Sequence, residues 1–164
     1  MRVFVTGASG CIGSSVVPEL IAAGHRVVGL SRSDSSAAAI AATGAEVLRG
    51  DLDDLDTLRA GAGRSDGVIH LAFIHDFTDF QAAVSTDRRA IEVMGAALEG
   101  SGKPLVIASG TPQVPGRVAT EGDEQALGSA LAGRAASARA TLDLAARGVR
   151  SSVVALPPDG ARRW

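Results

Sequence analysis

A chain of 164 residues, 46% hydrophobic and 21% charged, has the size and composition expected of one soluble domain with its own core. A net charge of −2 gives no basic surface for nucleic acid, and no apolar run approaches the ~20 residues of a membrane span. The single cysteine, Cys11, excludes an internal disulfide framework. The glycine-broken N-terminal segment lacks the order of a signal peptide, so a cytoplasmic location is expected.

Residues 2–6 read as a first strand. Three glycines spaced three apart follow, Gly7, Gly10 and Gly13, and then a helix over 12–23 that Gly24 ends. This strand–turn–helix order is the grammar of a dinucleotide site. Gly7 makes the tight turn, Gly10 lets backbone approach a pyrophosphate, and Gly13 lets the helix sit close to the strand. The amides around Ser9, Cys11 and Ile12 then face the phosphates at the positive end of the helix dipole. A phosphate-binding P-loop is disfavoured, because Ser14 and Ser15 rather than Lys-Ser/Thr follow Gly13. Cys11 reads either as a small residue of the first helical turn or as a thiol activated by that helix end.

A second strand over 26–30 leads to Ser31-Arg32-Ser33-Asp34. An acidic residue about 20 positions past the glycines binds the ribose 2′-hydroxyl in NAD sites. Here Arg32 occupies that region, and a guanidinium grips a 2′-phosphate with paired hydrogen bonds. The expected cofactor is therefore NADP, with NAD second. A solvated surface arginine is the alternative reading of Arg32, and Asp34 reads as a helix cap.

A helix over 35–43 and a strand over 45–48 precede Gly50-Asp51-Leu52, where Asp51 either accepts from an adenine amino group or serves a turn. A short helix over 53–60, capped by Asp53 or Asp54, leads to a fourth strand over 67–71. There Leu71 and the small Ala72 let a ribose lie against the backbone. His70 reads as a structural residue, His75 and Asp76 as pocket-lining, and His25 as surface. A long helix over 80–98, a strand over 105–108, a Gly/Pro loop over 110–122, a helix over 124–147 and a strand over 149–156 complete the pattern. Residues 157–164 form an irregular tail. No His, Cys, Asp or Glu cluster has metal-site spacing. Strands alternating with helices predict an α/β fold: a Rossmann-type doubly wound parallel sheet of order 3-2-1-4-5-6 over residues 1–156, with its ligand at the switch between strands one and four.

Thr6-Gly7-Ala8-Ser9-Gly10-Cys11-Ile12-Gly13, Arg32, Gly50-Asp51-Leu52, His70-Leu71-Ala72 and Ile107-Ala108-Ser109-Gly110-Thr111 together resemble the short-chain dehydrogenase/reductase superfamily, in its extended or atypical, epimerase/dehydratase-like branch. The resemblance implies cofactor roles for Gly7, Gly10, Gly13, Arg32, Asp51 and Ala72. It also implies a hydroxyl after strand five that polarises a substrate carbonyl, Ser109 first and Thr111 second. A turn role beside Gly110 competes for Ser109. The superfamily's acid is a tyrosine activated by a lysine four residues on, which lowers a phenol pKa of about 10. Spacing from Ser109 puts that tyrosine near Arg134, yet the chain holds no tyrosine and Lys103 is its only lysine. Asp87 stands near the superfamily's helix asparagine. Arg134 cannot release a proton at neutral pH. It is expected to be solvated, with anion binding as the other reading.

Relatives continue past strand six into a substrate-binding region, so a shortened form or a covering partner chain is expected here, with Trp164 either an exposed apolar contact at that end or packed back on the sheet. A homodimer through the two long helices is a further expectation from the resemblance. Two functions follow. One is an NADP-dependent oxidoreductase or epimerase-type enzyme acting on a small carbonyl, hydroxyl or sugar substrate. The other is a non-catalytic dinucleotide-binding sensor or scaffold.

Overall fold

The computed structural model describes residues 1–75, 78–112, 114–123 and 132–156. Six strands form one parallel sheet: β1 (Arg2–Thr6), β2 (Arg26–Ser31), β3 (Glu46–Arg49), β4 (Gly67–His70), β5 (Pro104–Gly110) and β6 (Arg150–Leu156). Five α-helices connect them: α1 (Gly13–Ala22), α2 (Asp34–Ala42), α3 (Leu55–Gly63), α4 (Phe80–Leu98) and α5 (Ala132–Asp143), the last continued by a 3₁₀ turn over Leu144–Arg147. The strand order is β3-β2-β1-β4-β5-β6. The predicted α/β class and strand order are both observed.

β1 is the hub. It pairs with β2 from Arg2↔Arg26 to Val5↔Gly29, and with β4 from Val3↔Gly67 to Thr6↔His70. Alternate side chains of a strand leave on opposite faces, so β1 feeds two cores. Phe4 enters a cluster with Leu58, Ile91, Met94, Leu98 and Leu105 beneath α3 and α4. Val3 and Val5 enter a cluster with Val17 of α1 and Ile40 of α2. Burial on both faces explains why β1 and β2 read as continuous apolar runs rather than alternating ones.

Small residues let the helices reach the sheet. A Cβ on Gly61 would lie 2.7 Å from the Phe4 ring, and one on Gly29 would lie 2.8 Å from Ile40. Boundaries depart from expectation where tertiary pairing decides them. β5 runs on to Gly110, because β6 stays paired with it through Gly110↔Leu156. α2 begins at Asp34 with Ser33 as its cap, so Asp34 occupies the first helical position rather than capping the helix. The expected start of the last helix at 124–131, Asp76, and the tail at 157–164 lie outside the described residues.

Candidate functional site

A cleft of about 940 Å³ opens where the strand order reverses, at the carboxyl ends of β1 to β4. Such a volume falls within the roughly 300–1,000 Å³ of ordinary ligand sites. Four post-strand segments build its walls: Gly7 and Ser9–Gly13 after β1, Arg32 and Ser33 after β2, Gly50–Asp53 after β3, and Leu71–His75 after β4. Every residue expected to hold a cofactor, namely Gly7, Ser9, Gly10, Cys11, Ile12, Gly13, Arg32, Asp51, Leu52, Leu71 and Ala72, lies on this lining.

The three glycines are required for different reasons. Gly7 has φ +68°, and a Cβ there would lie 2.6 Å from Ala72 N, so both dihedral and space demand glycine. A Cβ on Gly13 would lie 2.2 Å from the Gly7 carbonyl oxygen, because α1 is pressed against the turn. Gly10 is unlike both. Its φ is not positive, and a Cβ would meet only Gly7 O, at 3.2 Å. Backbone conformation leaves Gly10 free, packing restrains it through that one tight contact, less than at Gly7 or Gly13, and its bare face opens on the cleft.

The start of α1 has no side-chain cap. Ser33, Asp54 and Asp79 accept backbone N–H groups at the starts of α2, α3 and α4. At α1 the cap position is Ile12, with no side-chain hydrogen bond and no acidic residue in the first turn. The first N–H groups of a helix have no acceptor within the helix itself; here Ser15 N–H turns back on the Ile12 carbonyl at 3.1 Å, and the cap position brings no side-chain acceptor to the end that faces the cleft. The turn is otherwise closed on itself by Gly10 N–H to Gly7 O at 2.9 Å and Ser14 N–H to Gly10 O at 2.8 Å. This uncapped helix start and the missing Cβ of Gly10 fit a diphosphate.

At one end of the cleft, Arg32 is exposed on the rim beside the Ser33 and Ser36 hydroxyls. The serines form a network with a 2.6 Å Ser31 Oγ–Ser36 Oγ contact. Asp51 Oδ1 accepts the Asp53 and Asp54 N–H groups at 2.9 and 3.1 Å, so its turn role is present while its side chain also faces the cleft.

At the other end lies a buried polar chain. Thr6 Oγ1, at the end of β1, accepts the Ala72 N–H at 3.3 Å and sits 2.7 Å from His70 Nδ1. His70 Nε2 lies 3.2 Å from Asp87 Oδ1, which also receives Arg134 Nη1 at 2.9 Å. A carboxylate only accepts, so Nε2 carries the hydrogen, and in the neutral ring Nδ1 accepts the Thr6 hydroxyl. Asp87 is fully buried. Burial pushes its pKa up, but the His70 hydrogen bond and the Arg134 charge outweigh that and hold it below the ordinary carboxylate value. Ser137 Oγ, 1% exposed, lies near enough to add to this effect without a well-formed hydrogen bond, and Asp87 Oδ2 likewise has no partner among the described residues.

Arg134 is not solvated as expected. Its side chain is only 16% exposed, because it also donates from Nη2 to the Ala108 carbonyl at 2.5 Å and lies 4.4 Å over the Phe73 ring. It thus links a cleft residue, Phe73, to the peptide just before Ser109. Ser109 and Thr111 are half-buried at the end of β5, one strand beyond β4, and the cleft lining does not include them. His70 occupies the structural place expected of it. Thr6, Asp87 and Phe73 are the functional candidates that sequence reading passed over or left without partners. His25 is half-buried rather than a plain surface residue, within 3.4 Å of the N-terminal amine. Among the described residues no group of three or more His, Cys, Asp or Glu side chains could hold a metal, and no helix is long and apolar enough to cross a membrane.

Sheet order, glycine turn and cleft together define a dinucleotide-binding α/β protein. The sequence matches the NAD dependent epimerase/dehydratase family over residues 3–140, and the chain belongs to that family, whose members bind a dinucleotide cofactor. It is 47% identical over 160 residues to an uncharacterized protein of Saccharomyces cerevisiae, covering 96% of this chain and 53% of that protein. It is 45% identical to an uncharacterized protein of Schizosaccharomyces pombe, covering 96% and 54%. The chain spans about half the length of these curated relatives. Among solved structures, the Thermus thermophilus UDP-glucose 4-epimerase in complex with NAD shares the fold, with a TM-score of 0.71 at 24% identity, over 96% of this chain and 54% of that one.

Proposed function

We propose that residues 1–156 form a domain that binds NADP in preference to NAD and presents it for hydride transfer to or from a small carbonyl, hydroxyl or sugar substrate. The observation that carries this reading is Gly10. Its φ is not positive and a Cβ there would meet one atom, Gly7 O at 3.2 Å, so the fold demands glycine less here than at Gly7 or Gly13, and a ligand seated on the bare backbone accounts for the rest.

Each wall of the cleft then has a task. The uncapped start of α1 receives the diphosphate, with the helix dipole behind it. Arg32, with Ser33 and Ser36, meets the 2′-phosphate, since a guanidinium matches phosphate geometry in paired hydrogen bonds. Asp51 has a second carboxylate oxygen for the adenine amino group, and Leu71 with Ala72 supports the ribose. When bound, the nicotinamide supplies or takes the hydride, which is the cofactor's own chemistry. The Ser109 hydroxyl, with Thr111 as second choice, polarises the substrate oxygen. Arg134 contributes charge and position but no proton, so the proton comes from water or from the substrate.

A second reading, a dinucleotide-bound sensor or scaffold without turnover, is favoured by one observation. The side chain standing where a proton donor is expected is committed to Asp87 and the Ala108 carbonyl. Fluorescence titration with NADPH and NADH tests the first step, with Arg32→Asp alongside. Tighter NADPH binding that Arg32→Asp abolishes supports the reading, and equal affinity for both cofactors overturns it. Oxidation of NADPH against a panel of simple ketones and sugars then separates enzyme from sensor. Binding without oxidation selects the sensor.

A further inference from the structure

The rim around Arg32 contains a second arginine, contributed by the neighbouring strand. Arg49 is the last residue of β3, and the β2–β3 pairing sets it directly opposite Ser31. From there its guanidinium reaches the turn after β2 and makes two contacts. Nη1 donates to the Ser33 carbonyl at 2.7 Å, and Nη2 meets Asp34 Oδ1 at 2.9 Å. Asp34 lies two residues past Arg32, in the stretch where an acidic side chain hydrogen-bonds the ribose diol of NAD. A carboxylate turned toward that position also repels a 2′-phosphate. In this chain Arg32, Ser33 and Ser36 line the cleft, and Asp34 does not.

From this geometry we infer that Arg49 is a positioning residue for cofactor choice: it holds the Asp34 carboxylate away from the cleft and fixes the Ser33 peptide, leaving Arg32 as the charge a 2′-phosphate meets. The inference rests on the reading that the cleft takes a dinucleotide with Arg32 at its 2′-phosphate. The charge logic is simple. With Asp34 neutralised by Arg49, the turn presents the single positive charge of Arg32. With Asp34 released, the positive and negative charges of Arg32 and Asp34 cancel. Arg49 selects through Asp34, without touching the cofactor. Both side chains of the pair are exposed, so replacing either leaves the core intact.

The test is a double-mutant cycle read by NADPH and NADH titration of the wild type, Arg49→Gln, Asp34→Asn and the double variant, with melting temperatures confirming that each is folded. Arg49→Gln is expected to weaken NADPH about fivefold, the size of a sub-kcal/mol exposed charge interaction, and to leave NADH within about twofold. Asp34→Asn alone is expected to leave NADPH at least as tight as in the wild type. The double variant is expected to return to within about twofold of the wild type, because the carboxylate that Arg49 restrains is gone. An unchanged NADPH-to-NADH ratio in Arg49→Gln overturns the inference. So does a double variant as weak as Arg49→Gln, which makes Arg49 a direct phosphate contact. A wild type without NADPH preference overturns the NADP reading itself, a result distinct from either of these.

Discussion

Gly10 and Gly13 are separated by one turn of chain, yet they predict opposite consequences on substitution. A side chain at Gly13 starts 2.2 Å from a backbone oxygen that cannot rotate away. Gly13→Ala is expected to cost about 1–3 kcal/mol of stability, read as a lowered melting temperature. A side chain at Gly10 enters the cleft. Gly10→Val, which has to ease one 3.2 Å contact with Gly7 O, is expected to cost less stability than Gly13→Ala and to abolish NADPH binding. Loss of fold in Gly10→Val, or NADPH bound as tightly as before, contradicts this division. Asp87 makes a different demand. With His70 and Arg134 both pointed at one buried carboxylate, Asp87→Asn leaves a charge uncompensated and is expected to cost about 3–5 kcal/mol. Its pH dependence has a definite sign. The folded pKa lies below the unfolded one, so the stabilisation is complete above the unfolded value near 4 and is lost as pH falls through the folded value. Melting temperatures taken from neutral to acid pH are expected to fall less steeply in Asp87→Asn than in the wild type.

Elements explain what could be read in advance. β1, the glycine turn and α1 are contiguous, so strand, turn and helix signals all fall within Arg2 to Ala22, and this wall of the cleft was legible from them. The place of Arg32 on the cleft rim was legible for the same reason, being just past β2. The polar chain at the other end was not. Its links join residues 64, 17 and 47 positions apart, and only the order of the strands brings them together. No local pattern announces that an arginine on α5 will meet an aspartate on α4, and exposure is the default for arginine. Asp34 shows the same limit, since its partner Arg49 arrives from another strand. Close packing of elements gives its own prediction. α3 rests on β1 through Gly61, where a side chain would begin 2.7 Å from a fully buried ring. Gly61→Val is expected to lower stability by about 1–3 kcal/mol while leaving the affinity of the refolded protein for NADPH unchanged. A variant as stable as the wild type would show that Phe4 can yield.

At the scale of the molecule, six parallel strands with helices on both faces bring four separate turns to one cleft, and a ligand held by all four reports on the whole sheet. NADPH at one hundred times its dissociation constant is expected to stabilise the protein by about 2.7 kcal/mol, and NADH at the same concentration by less. A melting temperature that neither cofactor moves refutes dinucleotide binding outright.

The position of β1 has a consequence for how the molecule is made. The strand that emerges earliest from the ribosome among the six lies in the middle of the sheet, and its second neighbour, β4, is synthesised only after residue 66. Until then one edge of β1 stays open, and unpaired edges invite wrong partners. The Thr6 hydroxyl waits still longer, for the amide of Ala72. A nascent chain cut short before that residue has a glycine turn with nothing beneath it, so the cleft can take shape only once the ribosome has passed Ala72.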